Sequence, residues 1–414
     1  MRRIIGFIFY SIFPLLVMAE RLTPYVNPFV GTDGYGNVYP GAQIPFGGIQ
    51  ISPDTDADFY DAASGYKYSH STLMGFSLTH LSGTGIPDLG DFLFVPGAGE
   101  IKSVPGTHDE PEKGYRSHYS HDKEWASPGY YGVELIDYGV KAEMTAASRS
   151  GFFRFTYPKS DQAFILIDMN HTLWQSCPWA NLRQINDSTL VGYKLVKGWG
   201  PERHVYFAAT FSCKLNNFQI LQNGKPVIYD TKRFRSHLEA WGEKLMACVR
   251  FETQANQEIY VKTAISGVST EGALRNLQEL NGFDFDRTRE AADRLWEKEL
   301  SKFQVKGDLK TKQTFYTSAY HAALHPFIFQ DVDGMYRGLD KNIEKAENFT
   351  NYTTFSLWDT YRAFHPLLNL INQPLQADIA NSMLAHYDKS VEHMLPIWSF
   401  YGNETWCMIG YHAV

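Results

Sequence analysis

The sequence predicts a multidomain protein: an N-terminal antiparallel β-sandwich over residues 20–265, a helical linker over 266–310, and the opening part of an all-α domain over 311–414. Three observations carry this reading. At 414 residues the chain exceeds the size at which one hydrophobic core keeps growing. From about Tyr25 to Lys262, short β-branched and aromatic runs alternate with Gly, Pro, Asn and Asp. After Ser266 the apolar residues recur at intervals of three and four among charges, the period of amphipathic helices.

Taken in order, strands are expected at residues 132–138, 151–157, 163–168, 204–211 and 258–262. Strands that follow one another without intervening helices belong to packed antiparallel sheets and not to βαβ units. The linker carries helical patterns at 271–280 and 285–305. Further helices are expected at 312–327, 360–371, 375–386 and from Gly402 onward, joined by loops rich in Asp, Gly, Asn and Pro. The last of these patterns is followed by no Gly, Pro or Asn stop signal and no charged final turn, so the sequence reads as a truncated protein.

Composition bounds the function. With 44% hydrophobic and 20% charged residues the chain can build cores and is not disordered. Its net charge of -7 is spread without basic blocks, which argues against a nucleic-acid partner. The 25 Tyr, 28 Phe and 9 Trp serve core packing in the ordinary case, and they also suit stacking on the apolar faces of sugars. Met1, Arg2 and Arg3 precede an apolar run to Met18, and Val17-Met18-Ala19 resembles a cleavage site. Residues 1–19 are therefore expected to be a signal peptide cut after Ala19, giving a secreted or periplasmic protein with no transmembrane segment. A membrane anchor fits less well, because Ser11 and Pro14 interrupt a run already short for a bilayer. Cys177, Cys213, Cys248 and Cys407 form neither a zinc pattern nor a dense disulfide framework.

Two segments stand out chemically. In residues 79–91, small residues and Gly surround His80, Asp88 and Asp91, a composition that lets backbone approach a ligand while Ser, Thr and His offer donors and acceptors. A tight loop capping its own backbone is the plain alternative. In residues 355–362, Trp358 adjoins Asp359, and Arg362 lies three positions further along one helical face, an arrangement suited to stacking and hydrogen-bonding a sugar ring. Asp359 alternatively caps a helix beginning at Thr360. Glu404 beside Trp406 repeats the pairing, and either binds substrate or sits in a buried ion pair.

Several blocks together resemble glycoside hydrolase family 92, the α-mannosidases. They are residues 26–32 (VNPFVGT), 39–47 (YPGAQIPFG), 50–55 (QISPDT), 75–91, 127–131 (SPGYY), 197–199 (KGW), 331–338 (DVDGMYRG), 356–362 (SLWDTYR) and 402–414. The resemblance implies a secreted, calcium-dependent, inverting exo-α-mannosidase acting on mannose-containing glycans, with the third segment starting an (α/α)6 catalytic barrel. It implies that substrate lies between the two domains, that the loop around His80 reaches toward it, and that Trp358 and Asp359 line the terminal mannose subsite. The family's general acid and base fall in motifs beyond the block ending at Val414, as do most calcium ligands. This polypeptide alone is therefore expected to be inactive, with no catalytic or metal-binding residue assigned. A non-catalytic carbohydrate-binding protein is the competing reading.

Overall fold

The structure is a computed structural model, and it describes residues 20–57, 60–228 and 238–414. The expected signal peptide lies outside the described residues. Two antiparallel sheets build the N-terminal part. The seven-stranded sheet runs in the order Ser52–Asp54, Gly75–Ser77, Leu93–Ala98, Ser160–Asp168, Leu245–Thr253, Asn217–Gln222 and Lys225–Pro226. The nine-stranded sheet runs Glu239–Gly242, Ser176–Asn186, Thr189–Lys197, Arg203–Phe211, Gln257–Ser266, Ser150–Tyr157, Val140–Ala146, Tyr130–Leu135 and Glu124–Ser127.

Alternation explains how the sheets stack. In Ser150–Tyr157 the residues Phe153, Phe155 and Tyr157 point inward, where Phe153 meets Phe94 of the facing sheet at 4.9 Å between ring centroids. Phe152 points the other way and is buried as well, because Leu280 and Phe285 of the linker cover it. The linker thus roofs the outer face of the nine-stranded sheet. Helix α1 (Thr270–Asn276) packs Ala273 and Leu277 onto Val191, Ala208 and Ala264. Helix α2 (Phe285–Leu300) starts at Asp284, whose carboxylate accepts from Arg287 N at 3.0 Å, and buries Phe285, Ala292, Trp296 and Leu300 along one stripe. Gly129 has φ +80, and a side chain there would meet Ala292 Cβ at 2.7 Å, so the Ser-Pro-Gly turn is tight both in backbone and in its contact with α2.

The helical part continues with α3 (Leu309–Ala322), α4 (Leu357–Thr360), α5 (Phe364–Ile371) and α6 (Gln373–Lys389). Helix α3 ends before residue 327 because His325 precedes Pro326, which excludes helical backbone there, and Phe327–Ile328 pairs instead with Tyr352–Thr353. No helix follows Gly402: positive φ at Gly402, Trp406, Met408 and Gly410 breaks the pattern into turns, and a lone bridge joins Ser399 to Glu404. No helix among the described residues is long and apolar enough to cross a membrane.

Two segments fasten the sheets to the helices. Residues 39–47 thread between them: Trp296 Nε1 donates to Gln43 O at 2.6 Å, Gln43 Nε2 to Leu324 O at 2.9 Å, and Phe46 N to Ala323 O at 2.9 Å. Residues 331–338 do the same for α1. Buried Asp331 accepts from Ser266 Oγ and Asn276 Nδ2, both at 2.8 Å, while Arg337 Nε donates to Gly267 O at 2.9 Å. Gly272 is required at this contact, since a Cβ would lie 2.0 Å from Asp331 Oδ2.

Burial lifts the Asp331 carboxyl to about 6 against the hydrogen bonds from Ser266 and Asn276. The sign follows from linkage. Between the unfolded value near 3.8 and about 6, the unfolded chain ionises this group and the folded one does not, so stability falls as pH rises through that window. The full loss, about 3 kcal/mol, is present above pH 6. Asp331→Asn is expected to remove most of this slope in urea denaturation between pH 4 and 7, and an unchanged slope would show that Asp331 titrates normally.

Candidate active site

Where the sheets meet the helices, a cavity of about 360 Å³ opens. The sandwich contributes Ser82, Gly83 and Thr84 from the loop that follows His80. The helical part contributes His321 at the end of α3, His325 and Pro326 beyond it, residues 354–356, Asp359 and Thr360 on α4, residues 363–365 around the start of α5, and Trp398. Phe355, Phe364 and Trp398 make the walls largely apolar. Trp398 is braced by Trp199 of the 197–199 motif, at 4.3 Å between centroids and 62° between planes.

The polar groups are few and aimed. Trp398 Nε1 donates to Ser356 Oγ at 2.9 Å, and Ser356 Oγ donates to Asp359 Oδ2 at 2.6 Å, which orients the one carboxylate in the lining. His365 Nε2 meets Thr360 Oγ1 and its Nδ1 meets Gln376 Oε1, both at 3.0 Å. His325 Nε2 accepts from Ser82 N at 3.4 Å, which leaves its proton on Nδ1 and joins the two parts of the chain. Burial holds His321 and His325 down at about 4 and lowers His365, so all three are neutral near pH 7 and serve as hydrogen-bonding groups without charge. Thr84 Oγ1, His321 Nε2 and Thr354 Oγ1 are buried without a protein partner among the described residues. Three such atoms around one apolar cavity are what a polyhydroxylated ligand would satisfy.

The structure distributes the sequence candidates unevenly. Asp359 lines the cavity, and it stands third in the four-residue α4, where Ser356 holds the N-cap position, so it is not the cap of a helix starting at Thr360. Arg362 lies beyond that single turn, exposed, with its guanidinium over the Tyr361 ring at 5.3 Å; the shared helical face does not exist. Trp358 is half-buried and is not part of the lining, where Trp398 supplies the indole. His80 is fully buried between Gln50 O and Asp54 Oδ1, each 2.8 Å from a ring nitrogen, so its loop reaches the cavity and its ring does not. Glu404 accepts from the backbone of Ile397, Trp398 and Trp406 at 2.9–3.0 Å and faces His386 at 3.4 Å. Although burial pushes its carboxyl up, these partners hold it below the ordinary value. The carboxylate is thus occupied by protein partners, and its contact with His386 is ionic only when that imidazole is protonated. Missed by sequence reasoning were His321, His325, His365 and Trp398. A faint signal was available in the first two, four residues apart and followed by Pro326.

Behind the loop, a buried ionic network sets its position. Asp91 receives Arg203 Nη1 at 2.8 Å, Lys194 Nζ at 3.0 Å and Thr79 Oγ1 at 2.7 Å. Burial would raise its carboxyl, but the charges of Arg203 and Lys194 hold it well below the usual range. Asp88, at 3.4 Å from Arg203, stays raised by burial. It also accepts from Trp199 N at 3.1 Å, which links this network to the bracing indole.

Comparison with known proteins decides the family. Residues 25–266 match the glycosyl hydrolase family 92 N-terminal domain, and residues 272–414 match the glycosyl hydrolase family 92 catalytic domain. The chain belongs to glycoside hydrolase family 92. Its family 92 relatives include a solved α-mannosidase from Bacteroides thetaiotaomicron, 76% identical, with a TM-score of 0.94 over 95% of this chain and 53% of that one. The same enzyme has been solved with mannoimidazole. An inverting family 92 mannosidase from the same organism shares the fold, at 24% identity and a TM-score of 0.81, over 95% of this chain and 51% of that one. A protein of Arthroderma benhamiae described as an uncharacterized secreted glycosidase is 25% identical over 82% of this chain and 45% of its own length. The chain thus spans about half the length of these family 92 relatives.

Proposed function

We propose that the junction cavity is the terminal mannose subsite of a secreted, inverting exo-α-mannosidase acting on mannose-containing glycans, and that the helices after the linker begin an (α/α)6 barrel. The observation that carries this is the set of unpartnered buried atoms on Thr84, His321 and Thr354 within an aromatic cavity. Sugar hydroxyls are donors and acceptors at once and pair with just such groups, while the pyranose face stacks on an indole. The relative solved with mannoimidazole supports the choice of sugar, and the secreted glycosidase relative supports the compartment.

Glycoside hydrolysis takes two carboxyl groups, and the lining offers Asp359 alone. In this proposal Asp359 binds and orients sugar, and the general acid and base come from residues outside the described ones. Calcium takes roughly six to eight oxygen ligands, so the one carboxylate of this lining does not fit that ion by itself. The single carboxylate also favours the second reading, a non-catalytic mannose-binding protein. Calorimetry with mannoimidazole, together with NMR of products released from α-linked mannobioses, separates the two. Assayed on a chain as long as its family 92 relatives, binding with release of β-mannose is expected. Binding without hydrolysis by that longer chain establishes the second reading, and absence of binding defeats both.

A further inference from the structure

We propose that Asp56, His70 and His108 form a binding site for a late first-row divalent transition-metal ion such as Zn²⁺, which ties together two loops of the N-terminal domain. One ligand atom from each residue lies within 4.8 Å of the others, and none of the three lines the junction cavity. Asp56 and His70 flank the chain between the strands Ser52–Asp54 and Thr72–Leu73, whereas His108 comes from the loop between Leu93–Ala98 and Ser117–His118. The two imidazole rings are 4.2 Å apart between centroids, and His108 Nε2 is 3.0 Å from Asp56 Oδ2.

The surroundings already orient the ligands. His70 Nδ1 meets Thr55 Oγ1 at 3.0 Å and His108 Nδ1 meets Thr72 Oγ1 at 2.9 Å. Thr55 places its own proton toward Gly65 O, and Thr72 receives Arg116 Nη1 at 3.3 Å. At His70 the Thr55 oxygen is placed to accept an Nδ1 proton and leave the Nε2 lone pair for an ion. At His108 the Nε2 proton now faces Asp56 Oδ2, and an ion would displace it, with Thr72 Oγ1 placed to accept the proton on Nδ1, which is how ligating histidines are fixed by their outer partners. Tetrahedral zinc needs donor atoms about 3.3 Å apart, so the least favourable pair closes by at most about 1.5 Å. Two imidazoles and one carboxylate suit zinc, copper or nickel and not calcium, which selects oxygen. Three protein ligands leave a fourth position for water.

The test is zinc and cobalt titration of the untagged, chelator-stripped protein, read by calorimetry and by the visible spectrum of Co²⁺. Expected are one ion per chain, loss of binding in His70→Gln and in His108→Gln with circular dichroism unchanged, and affinity weakened by roughly 10- to 100-fold in Thr72→Val. No stoichiometric binding, or binding that persists in both glutamine variants, overturns the proposal. Should the glutamine variants fail to fold, Thr72→Val decides: weakened Co²⁺ binding supports the site and unchanged binding refutes it.

Discussion

In a chain as long as its family 92 relatives, Asp359→Asn is expected to lower kcat/KM toward α-mannosides by roughly 10- to 150-fold, the equivalent of about 1.5–3 kcal/mol for one charge-assisted hydrogen bond to substrate. The fold should be almost indifferent to the change. The carboxylate is exposed, Ser356 Oγ is its one hydrogen-bond partner among the described residues, and asparagine keeps an acceptor at that position. Stability is therefore expected to move by no more than about 0.5 kcal/mol, as for most surface substitutions. Steady-state kinetics beside thermal melting checks both halves. A loss of stability in step with the loss of activity would show that Asp359 holds the loop and not the sugar.

Arg203→Met is expected to be the most damaging single change to the fold, costing roughly 3–5 kcal/mol, because it strands part of a buried negative charge. Its guanidinium is 1% exposed and spans Asp91 and Asp88, while its planar face packs 5.6 Å from the Tyr401 ring. Lys194 reaches Asp91 but, among the described residues, forms no pair with Asp88, so it offsets only part of the loss. Arg203→Lys should recover a fraction, since one ammonium cannot replace a two-pronged fork. Urea denaturation at pH 7 measures the cost, and a value under about 1 kcal/mol would mean that the network contributes no more than an apolar contact. The depressed Asp91 carboxyl adds stability above its unfolded pKa and loses it as pH falls toward the folded one. The Arg203 deficit should therefore narrow in acid.

Much of the sandwich was legible because short β-branched and aromatic runs bounded by turn residues are written locally. The expected runs at 151–157, 163–168 and 204–211 lie within Ser150–Tyr157, Ser160–Asp168 and Arg203–Phe211. The switch of period at Ser266 coincides with the end of Gln257–Ser266. Helices α2 and α3 were visible through their apolar stripes, and Pro326 marked the end of α3 more sharply than the helical pattern did. The run from Gly402 misled because its apolar spacing resembles a helix, while positive φ at Gly402, Trp406, Met408 and Gly410 folds the backbone into turns tied to the neighbouring Ile397, Trp398 and Phe400.

The site divides along the same line. Sequence by itself determined the family, through motifs that are contiguous in the chain, and it singled out both the loop beyond His80 and Asp359. Only the tertiary structure decided which side chains face the cavity. It turned His80 and Glu404 inward to buried partners, left Arg362 outside, and brought His321, His325, His365 and Trp398 together from separate elements. The reason is physical: a motif fixes which residues stand near one another along the chain, but the direction of each side chain is set by packing and by the hydrogen-bond partners that distant segments supply.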